Sequence, residues 1–189
     1  HIKGVEVKFH KKDGDVVKRN DQILKLSGER KLLMKLERII LNILGRMSGI
    51  ATITNSLVAK VRRSGSNLLL TPTRKTVLGW LDKRACVVGG GGTHRLSLDT
   101  GVLIKHNHIK ASGLSLSSLL TGVIDRAKKE NFIEIEVATT KNAVIAAQAF
   151  SLAHKKGFKI PCFIMFDNMS PREIKKTLAS IKRTESYLY

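Results

Sequence analysis

Residues Thr73–His108 read TRKTVLGWLDKRACVVGGGGTHRLSLDTGVLIKHNH and give the frame for interpreting the rest of the chain. Basic or imidazole side chains stand here beside apolar runs and glycines, in three clusters: Arg74 with Lys75, His94 with Arg95, and Lys105 with His106 and His108. A cation beside a buried segment needs a partner, because burying an unpaired charge is costly. We therefore predict that the three clusters converge on one cleft that binds a small polyanion.

Outside this stretch, short apolar strands alternate with helices. The strands that we predict are Leu68–Thr71, Val102–His106, Phe132–Val137 and Cys162–Phe166. The helices that we predict lie near residues 77–88, 116–130, 140–155 and 171–183. Strands and helices in alternation predict an α/β fold with a parallel sheet and right-handed crossovers.

Charged residues fall at or near the carboxyl ends of all the predicted strands, where parallel sheets bind their ligands. Arg74 and Lys75 follow the first strand, and Lys105 lies near the end of the second. Glu134 lies in the third strand, and Asp167 follows the fourth. This repeated placement favours a binding site over a chance distribution of polar turns.

The N-terminal part follows another pattern. GVEVKFH (residues 4–10) and QILKLSG (residues 22–28) alternate apolar and polar residues, which predicts short antiparallel strands. From Glu29 to Arg63 the apolar residues recur at steps of three and four, which predicts an amphipathic helix. We expect Gly49 to divide this helix into two.

These patterns predict two domains. Residues 1–64 would form a partial N-terminal α/β domain with linking helices, and residues 65–189 an α/β barrel domain. The strands predicted here are fewer than a barrel needs. We therefore expect its C-terminal strands to lie outside this sequence.

Composition narrows the class of partner. The chain has 34 Lys and Arg against 15 Asp and Glu, a formal net charge of +19, which attracts polyanions of every kind. Aromatic residues make up only 5%, too few for the base-stacking platforms of a single-strand nucleic-acid binder. Cys86 and Cys162 stand far apart, so neither a zinc site nor a disulfide framework is indicated. No apolar run is long enough to cross a bilayer, and we expect a cytoplasmic protein that binds neither nucleic acid nor membrane.

Each basic cluster suits a particular task. The guanidinium of Arg74 is a planar fork that matches a carboxylate or a phosphate, and Lys75 adds a point charge. The run Gly89–Gly92 fits neither common phosphate-binding motif. It is either a flexible turn or a place where backbone N–H groups approach a phosphate, and His94 stands at its exit. A site that grips several anionic groups is therefore predicted.

The predicted third strand supplies an acidic side to this basic site. Glu134 and Glu136 share one face by the period of two, and carboxylates among apolar residues need cations. The cations would be either Mg²⁺ or the basic residues named above. In the preceding strand the same period would place Ile104, His106 and His108 on one face and Lys105 on the other.

Six phrases, in this order, carry a family resemblance: LERIILNILGRMSGIATIT, TRKT, GGGGTHR, LIKHNH, IEIEV and IMFDNMSP. Over about residues 22–175 the chain resembles quinolinate phosphoribosyltransferase, also called nicotinate-nucleotide pyrophosphorylase. The resemblance implies an N-terminal α/β sandwich-like domain and an open α/β barrel that works as a homodimer or higher oligomer. It also implies the reaction of quinolinate with 5-phosphoribosyl-1-pyrophosphate and Mg²⁺ to give nicotinate mononucleotide, pyrophosphate and carbon dioxide, a step of NAD biosynthesis.

The matching motifs also imply roles for single residues. The two quinolinate carboxylates would be held by five cationic or imidazole side chains: Arg38 of the partner subunit, Arg74, His94, Arg95 and Lys105. Lys75, Glu134 and Asp167 would be the catalytic residues that serve the phosphoribosyl donor, and Glu134 and Asp167 would contact the Mg²⁺.

The chain departs from the family pattern in three motifs. THR (residues 93–95) stands where the family has NHR. TRKTVLGWL lacks the proline and the later arginine of the family's TRKTTPGLR, and His106 stands where the family has an aspartate. These departures keep open a phosphoribosyltransferase of the same fold with another acid substrate. The net charge keeps open a non-catalytic basic binding protein.

Overall fold

The computed structural model describes residues 3–127 and 129–186 of the chain. The chain divides into two compact units, His1–Leu96 and Ser97–Tyr189. The predicted domain boundary after residue 64 stays a prediction, because a compact unit need not coincide with a domain that folds alone.

The first unit begins with an antiparallel pair of strands, β1 (Val5–Phe9) and β2 (Leu24–Gly28). Helix α1 (Arg30–Arg63) follows and helix α2 (Trp80–Val88) completes the unit's regular structure. The antiparallel strands and the long helix are confirmed. The predicted division at Gly49 is wrong: α1 is continuous over 34 residues, because one exposed glycine costs a helix only about 1 kcal/mol.

In the segment before α2 one prediction is wrong, and one predicted helix is confirmed with a later start. Leu68–Thr71, all of which the structure describes, forms no strand; Leu70 O instead accepts a single hydrogen bond from Gly92 N at 2.8 Å. The helix predicted from residue 77 begins at Trp80. Gly79 precedes it with a φ of 51°, a conformation that does not continue a helix.

Within its described residues, the second unit contains a parallel sheet of strand order β3–β4–β5. The strands are β3 (Val102–Ile104), β4 (Ile133–Val137) and β5 (Cys162–Phe166). The helices are α3 (His106–Ser112), α4 (Leu116–Arg126), α5 (Thr140–Lys155) and α6 (Pro171–Ser186). The predicted parallel α/β organisation is therefore confirmed.

Two boundaries differ from the prediction. The strand predicted to reach His106 ends at Ile104, and His106 begins α3, so the predicted alternation of His106 and His108 on one strand face is wrong. His108 Nδ1 accepts a hydrogen bond from Lys105 N at 3.0 Å, which caps the new helix. The helix predicted to reach residue 130 ends at Arg126, and Lys128 lies outside the described residues.

The core of the second unit determines which side chains are left for a site. Ile133, Ile135 and Val137 of β4 are buried in a cluster that also contains Leu120 of α4 and Phe150 of α5. Strand alternation directs the intervening residues of β4 to the opposite face. Those residues are Glu134 and Glu136, which therefore lie outside this apolar core.

Among the described residues, no helix combines the length and apolar character needed to cross a membrane.

Candidate anion-binding site

The loop before α2 carries two of the predicted cations. Arg74 and Lys75 are exposed, and Lys75 N donates to Thr73 Oγ1 at 3.1 Å. Further along the same loop, Val77 N and Leu78 N donate to one carboxylate oxygen of Asp82 at 3.0 and 3.1 Å. The buried Asp82 carboxylate thus holds the backbone that follows Arg74 and Lys75.

Asp82 is itself held by α1. Arg46 Nε and Nη2 donate to its two oxygens at 2.7 Å each, a bidentate pair. The Asp82 side chain is 4% exposed and the Arg46 side chain 36%. The hydrogen bonds from Arg46, followed by those from Leu78 and Val77, lower the pKa of Asp82 to about 2 although burial opposes the shift. Asp82 is therefore ionised at neutral pH.

The loop after the glycine run carries the next two predicted residues, His94 and Arg95. Lys83, buried on α2, holds this loop: its Nζ donates to Thr93 O at 2.6 Å and to Arg95 O at 2.8 Å. Burial lowers the pKa of Lys83, and the charges of Arg74 and Arg95 lower it further. Lys83 thus ties the backbone on both sides of His94 to α2.

The glycine run has a packing role. The backbone N–H groups of Gly89–Gly92 donate to Ala85 O, Val87 O, Cys86 O and Leu70 O respectively, so they are engaged within the protein. A Cβ at Gly89 would lie 2.5 Å from Ala51 O, and one at Gly91 would lie 2.8 Å from Leu70 O. The run is therefore neither a flexible turn nor a phosphate cradle. Its glycines let α1, α2 and the basic loops of the first unit approach each other.

The second unit gathers charged side chains at the carboxyl edge of its sheet. Lys105 follows β3, and its Nζ donates to Glu136 Oε2 of β4 at 3.0 Å. The sequence left open whether Mg²⁺ or a basic side chain would neutralise these glutamates. For Glu136 the structure shows a basic side chain, that of Lys105. Glu134, two residues earlier on the same face, is 7% exposed.

Asp167 follows β5 at the same edge. Its backbone N donates to Val137 O at 2.9 Å, which extends the pairing of β4 and β5 by one residue. Asn168 Nδ2 donates to Asp167 Oδ2 at 2.8 Å, and the side chain of Asp167 stays partly exposed. The structure thus brings Lys105, Glu136 and Asp167 to one rim, as the alternation of strands and helices predicted.

The described residues contain no group of three His, Cys, Asp or Glu side chains that could hold a metal ion. A cage formed by the protein alone is therefore not present in this part of the chain. Mg²⁺ commonly binds through one or two carboxylates and the phosphates of a substrate. The partly exposed Asp167 fits that mode better than the buried Glu134.

The remaining predicted residue, Arg38, lies on α1 with its side chain 76% exposed. Its Nη2 is 3.8 Å from Glu37 Oε1, a loose surface pair. Among the described residues of the first unit, the ion pair with Glu37 is a surface contact and does not fix Arg38 in a site of this chain. Its predicted service to a partner subunit stays a prediction.

The sequence analysis assigned no role in the site to Asp82, Lys83 or Arg46. The available signal was two adjacent opposite charges in the helix WLDKRACVV, at positions that face buried surroundings. Their partners lie elsewhere in the sequence, with Arg46 36 positions away from Asp82.

This is an α/β protein with basic loops beside one helix and charged residues at the carboxyl edge of a parallel sheet. Comparison with known families identifies both parts. Residues 1–48 match the model of the quinolinate phosphoribosyl transferase N-terminal domain, and residues 50–188 match that of its C-terminal domain. The chain belongs to the quinolinate phosphoribosyltransferase family.

Individual relatives agree with this assignment. A probable nicotinate-nucleotide pyrophosphorylase (carboxylating) of Methanothermobacter thermautotrophicus is 36% identical over 175 residues, which cover 92% of this chain and 59% of the relative. The crystal structure of NadC from Streptococcus pyogenes matches with a TM-score of 0.76 at 31% identity, over 94% of this chain and 59% of that one. The nicotinate-nucleotide pyrophosphorylase of Ehrlichia chaffeensis matches with a TM-score of 0.77 at 35% identity, over 95% and 61%.

These matches confirm the predicted fold class, an N-terminal domain followed by an open α/β barrel. The chain spans about three fifths of the length of the curated relatives that it matches.

Proposed function

We propose that the protein containing this chain transfers a phosphoribosyl group from 5-phosphoribosyl-1-pyrophosphate to quinolinate. The ring nitrogen would bond to the ribose C1 as the bond from C1 to pyrophosphate breaks. The carboxyl group beside the nitrogen would leave as carbon dioxide, and the electrons of its bond to the ring would take up a proton. The products are nicotinate mononucleotide, pyrophosphate and carbon dioxide. Membership of the family supports this proposal.

The observation that carries the proposal is a set of basic side chains on loops whose backbone is held by hydrogen bonds to buried residues. Arg74 and Arg95 stand on the two loops whose backbone is hydrogen-bonded to Asp82 and Lys83, and we propose that their guanidinium groups serve one anionic ligand. Arginine binds a carboxylate in a bidentate manner. We assign Arg74, His94 and Arg95 to the quinolinate carboxylates.

Lys105 is assigned to the same substrate. Its ammonium is half-exposed and bonded to Glu136, so it is available to a carboxylate without the full cost of leaving water. Glu136 then orients the ammonium before the substrate arrives. We propose that the Lys105 ammonium donates hydrogen bonds to Glu136 and to the bound acid at the same time.

The phosphoribosyl donor is assigned to Lys75, Glu134 and Asp167. Loss of pyrophosphate leaves positive charge on the ribose, which fixed carboxylates stabilise electrostatically. Mg²⁺ bound to the donor would neutralise the leaving group, with Asp167 as a ligand. The assembly is proposed to be a homodimer in which Arg38 serves the partner's site, and a cytoplasmic location stays a prediction.

A second candidate is a phosphoribosyltransferase of the same fold that accepts another acid. The observation in its favour is His106, which is exposed at the start of α3 immediately after Lys105. An imidazole there replaces the negative charge that the family pattern has, and this would alter the preference of the neighbouring lysine for its acid. A nucleic-acid-associated binding protein is supported by the net charge alone.

Titration calorimetry on the protein at its natural length separates these functions. Quinolinate should bind, and nicotinate, which lacks one carboxylate, should bind more weakly by about tenfold or more. Stronger binding of nicotinate would favour the second candidate. Binding of neither acid, together with salt-sensitive binding of a mixed-sequence oligonucleotide, would favour the basic binding protein.

A further inference from the structure

We infer that Asp82 and Lys83 are a pair of positioning residues, each of which holds one of the two loops that carry the predicted anion-binding side chains. The inference rests on the proposed function for the role of the loops, but the contacts themselves do not depend on it. Among the described residues, these two and Glu134 are the charged side chains that are buried. Neither Asp82 nor Lys83 is assigned to substrate, so their burial needs another reason.

Asp82 holds the first loop through its backbone. Its Oδ2 accepts from Val77 N at 3.0 Å and from Leu78 N at 3.1 Å, two to three residues beyond Lys75. Arg46 orients the carboxylate from α1 with two bonds of 2.7 Å. The direction in which Arg74 and Lys75 leave the loop is thereby fixed relative to both helices.

Lys83 holds the second loop in a complementary manner. Its Nζ donates to the carbonyl oxygens of Thr93 and Arg95, at 2.6 and 2.8 Å. These carbonyls flank His94, which has a φ of 53°. A non-glycine residue in that region is strained and persists only when its surroundings over-determine it. The ammonium supplies that restraint on both sides of the imidazole.

Helix geometry explains how adjacent residues reach separate loops. Consecutive side chains of an α-helix diverge by about 100°. From α2, Asp82 therefore accepts from a loop that precedes the helix while Lys83 donates to a loop that follows it. One short helix sets the position of both loops.

Electrostatics makes a purely stabilising role for Lys83 a poor explanation. Burial lowers the pKa of its ammonium, and the charges of Arg74 and Arg95 lower it further, so the charged form of this side chain is disfavoured here. An apolar side chain would avoid this cost, as replacements of buried charges by apolar residues often show. What the lysine adds is two directed bonds to one loop, which keep that loop in place before an anion arrives.

The test compares Lys83→Met with Arg84→Met. Both variants remove one positive charge from α2, but Arg84 is exposed and its Nη2 is 3.3 Å from Asp13 Oδ2, a surface pair. For Lys83→Met we expect the KM for quinolinate to rise about tenfold or more with the KM for the phosphoribosyl donor within about twofold, since small displacements of a binding group have large effects. Arg84→Met should leave both constants within about twofold. Equal KM values in the two variants would overturn the inference.

Asp82→Asn extends the test to the first loop. Because that loop carries both Arg74 and Lys75, the KM values for acid and donor should rise together. A general loss of stability would instead lower the fraction of folded protein and kcat and leave both KM values unchanged. Circular dichroism at the assay temperature establishes that each variant is folded.

Hydrogen exchange tests the hydrogen bonds of Asp82 and Lys83 to the two loops in the absence of any substrate. Asp82→Asn should accelerate exchange in peptides covering residues 76–79, and Lys83→Met in peptides covering residues 92–96, with Arg84→Met unchanged in both. Unchanged exchange in the first two variants would refute the positioning role even if the wild-type enzyme is active. Accelerated exchange in a protein that binds neither acid would support the positioning role and contradict the proposed function.

Discussion

The ion pair between Arg46 and Asp82 gives a prediction whose size follows from the structure. Arg46→Met removes two of the four hydrogen bonds on the Asp82 carboxylate and leaves those from Val77 N and Leu78 N. Breaking a buried ion pair from one side costs about 3–5 kcal/mol. Because the Arg46 side chain is 36% exposed, water partly replaces it, and we expect a loss in the free energy of unfolding of about 3 kcal/mol.

The same pair predicts an acid dependence. The pKa of Asp82 is lowered from an ordinary value of 3.8 to about 2 in the folded protein. The stabilisation is therefore fully present above pH 3.8 and is lost as the pH falls through about 2, an effect of about 2 kcal/mol. Without Arg46 the pKa of Asp82 rises towards its ordinary value, so this part of the acid sensitivity disappears.

Urea denaturation followed by circular dichroism at pH 7 and at pH 3 measures both effects. Arg84→Met is the matched control, since it makes the same change in charge and side-chain chemistry at an exposed pair worth less than about 0.5 kcal/mol. Equal midpoints for Arg46→Met and Arg84→Met at pH 7 would refute the reasoning. So would a variant that keeps the full acid sensitivity of the wild-type protein.

Three further substitutions test other parts of the account. Ile135→Ala removes a side chain that is 0% exposed in the core of the second unit, and urea denaturation should show a loss of about 2–5 kcal/mol; a loss below about 1 kcal/mol would contradict the core assignment. Gly89→Ala places a Cβ 2.5 Å from Ala51 O and should lower the thermal midpoint, whereas an unchanged midpoint would contradict the close approach of α1 and α2. Lys105→Met should change the free energy of unfolding by less than about 1 kcal/mol, because the lysine is half-exposed, but should lower kcat/KM about 100-fold. Unchanged kcat/KM in a folded Lys105→Met variant would remove Lys105 from the site.

The second unit was predictable because its elements are specified locally. IEIEV places Ile133 and Ile135 on one face and Glu134 and Glu136 on the other, and this alternation survives in the structure. The apolar run of Cys162–Phe166 is likewise a strand as predicted. Strand period and flanking turns were sufficient in both cases.

The first unit shows where local pattern fails. Leu68–Thr71 is as apolar as a strand, but a strand needs a ladder of hydrogen bonds to a neighbour. Here Leu70 O accepts from Gly92 N, and Leu68 N donates to the Ser66 side chain, so no ladder forms. The helix was predicted to begin near residue 77, yet the Asp82 carboxylate accepts hydrogen bonds from Val77 N and Leu78 N, and the helix begins only at Trp80. Both outcomes depend on residues distant in space that no local window contains.

The candidate site likewise contains residues that local sequence patterns predicted and residues that they did not. Arg74, His94 and Lys105 were visible because they stand in family motifs at the ends of predicted elements. Arg46 and Asp82 were not recognised as a pair, since nothing in a single sequence links positions 36 residues apart. The charged residues assigned to the ligand could thus be predicted from the sequence, whereas the residues that position them were identified only from the structure.

We propose that this chain belongs to an enzyme that couples phosphoribosyl transfer to decarboxylation. The most direct test incubates the protein at its natural length with quinolinate carrying an isotopic label in the carboxyl group beside the ring nitrogen, with and without 5-phosphoribosyl-1-pyrophosphate and Mg²⁺. We expect labelled carbon dioxide and nicotinate mononucleotide in equal amounts, and neither product when the donor is omitted. Transfer to nicotinate with no labelled carbon dioxide from quinolinate, or no transfer to either acid, would contradict the claim.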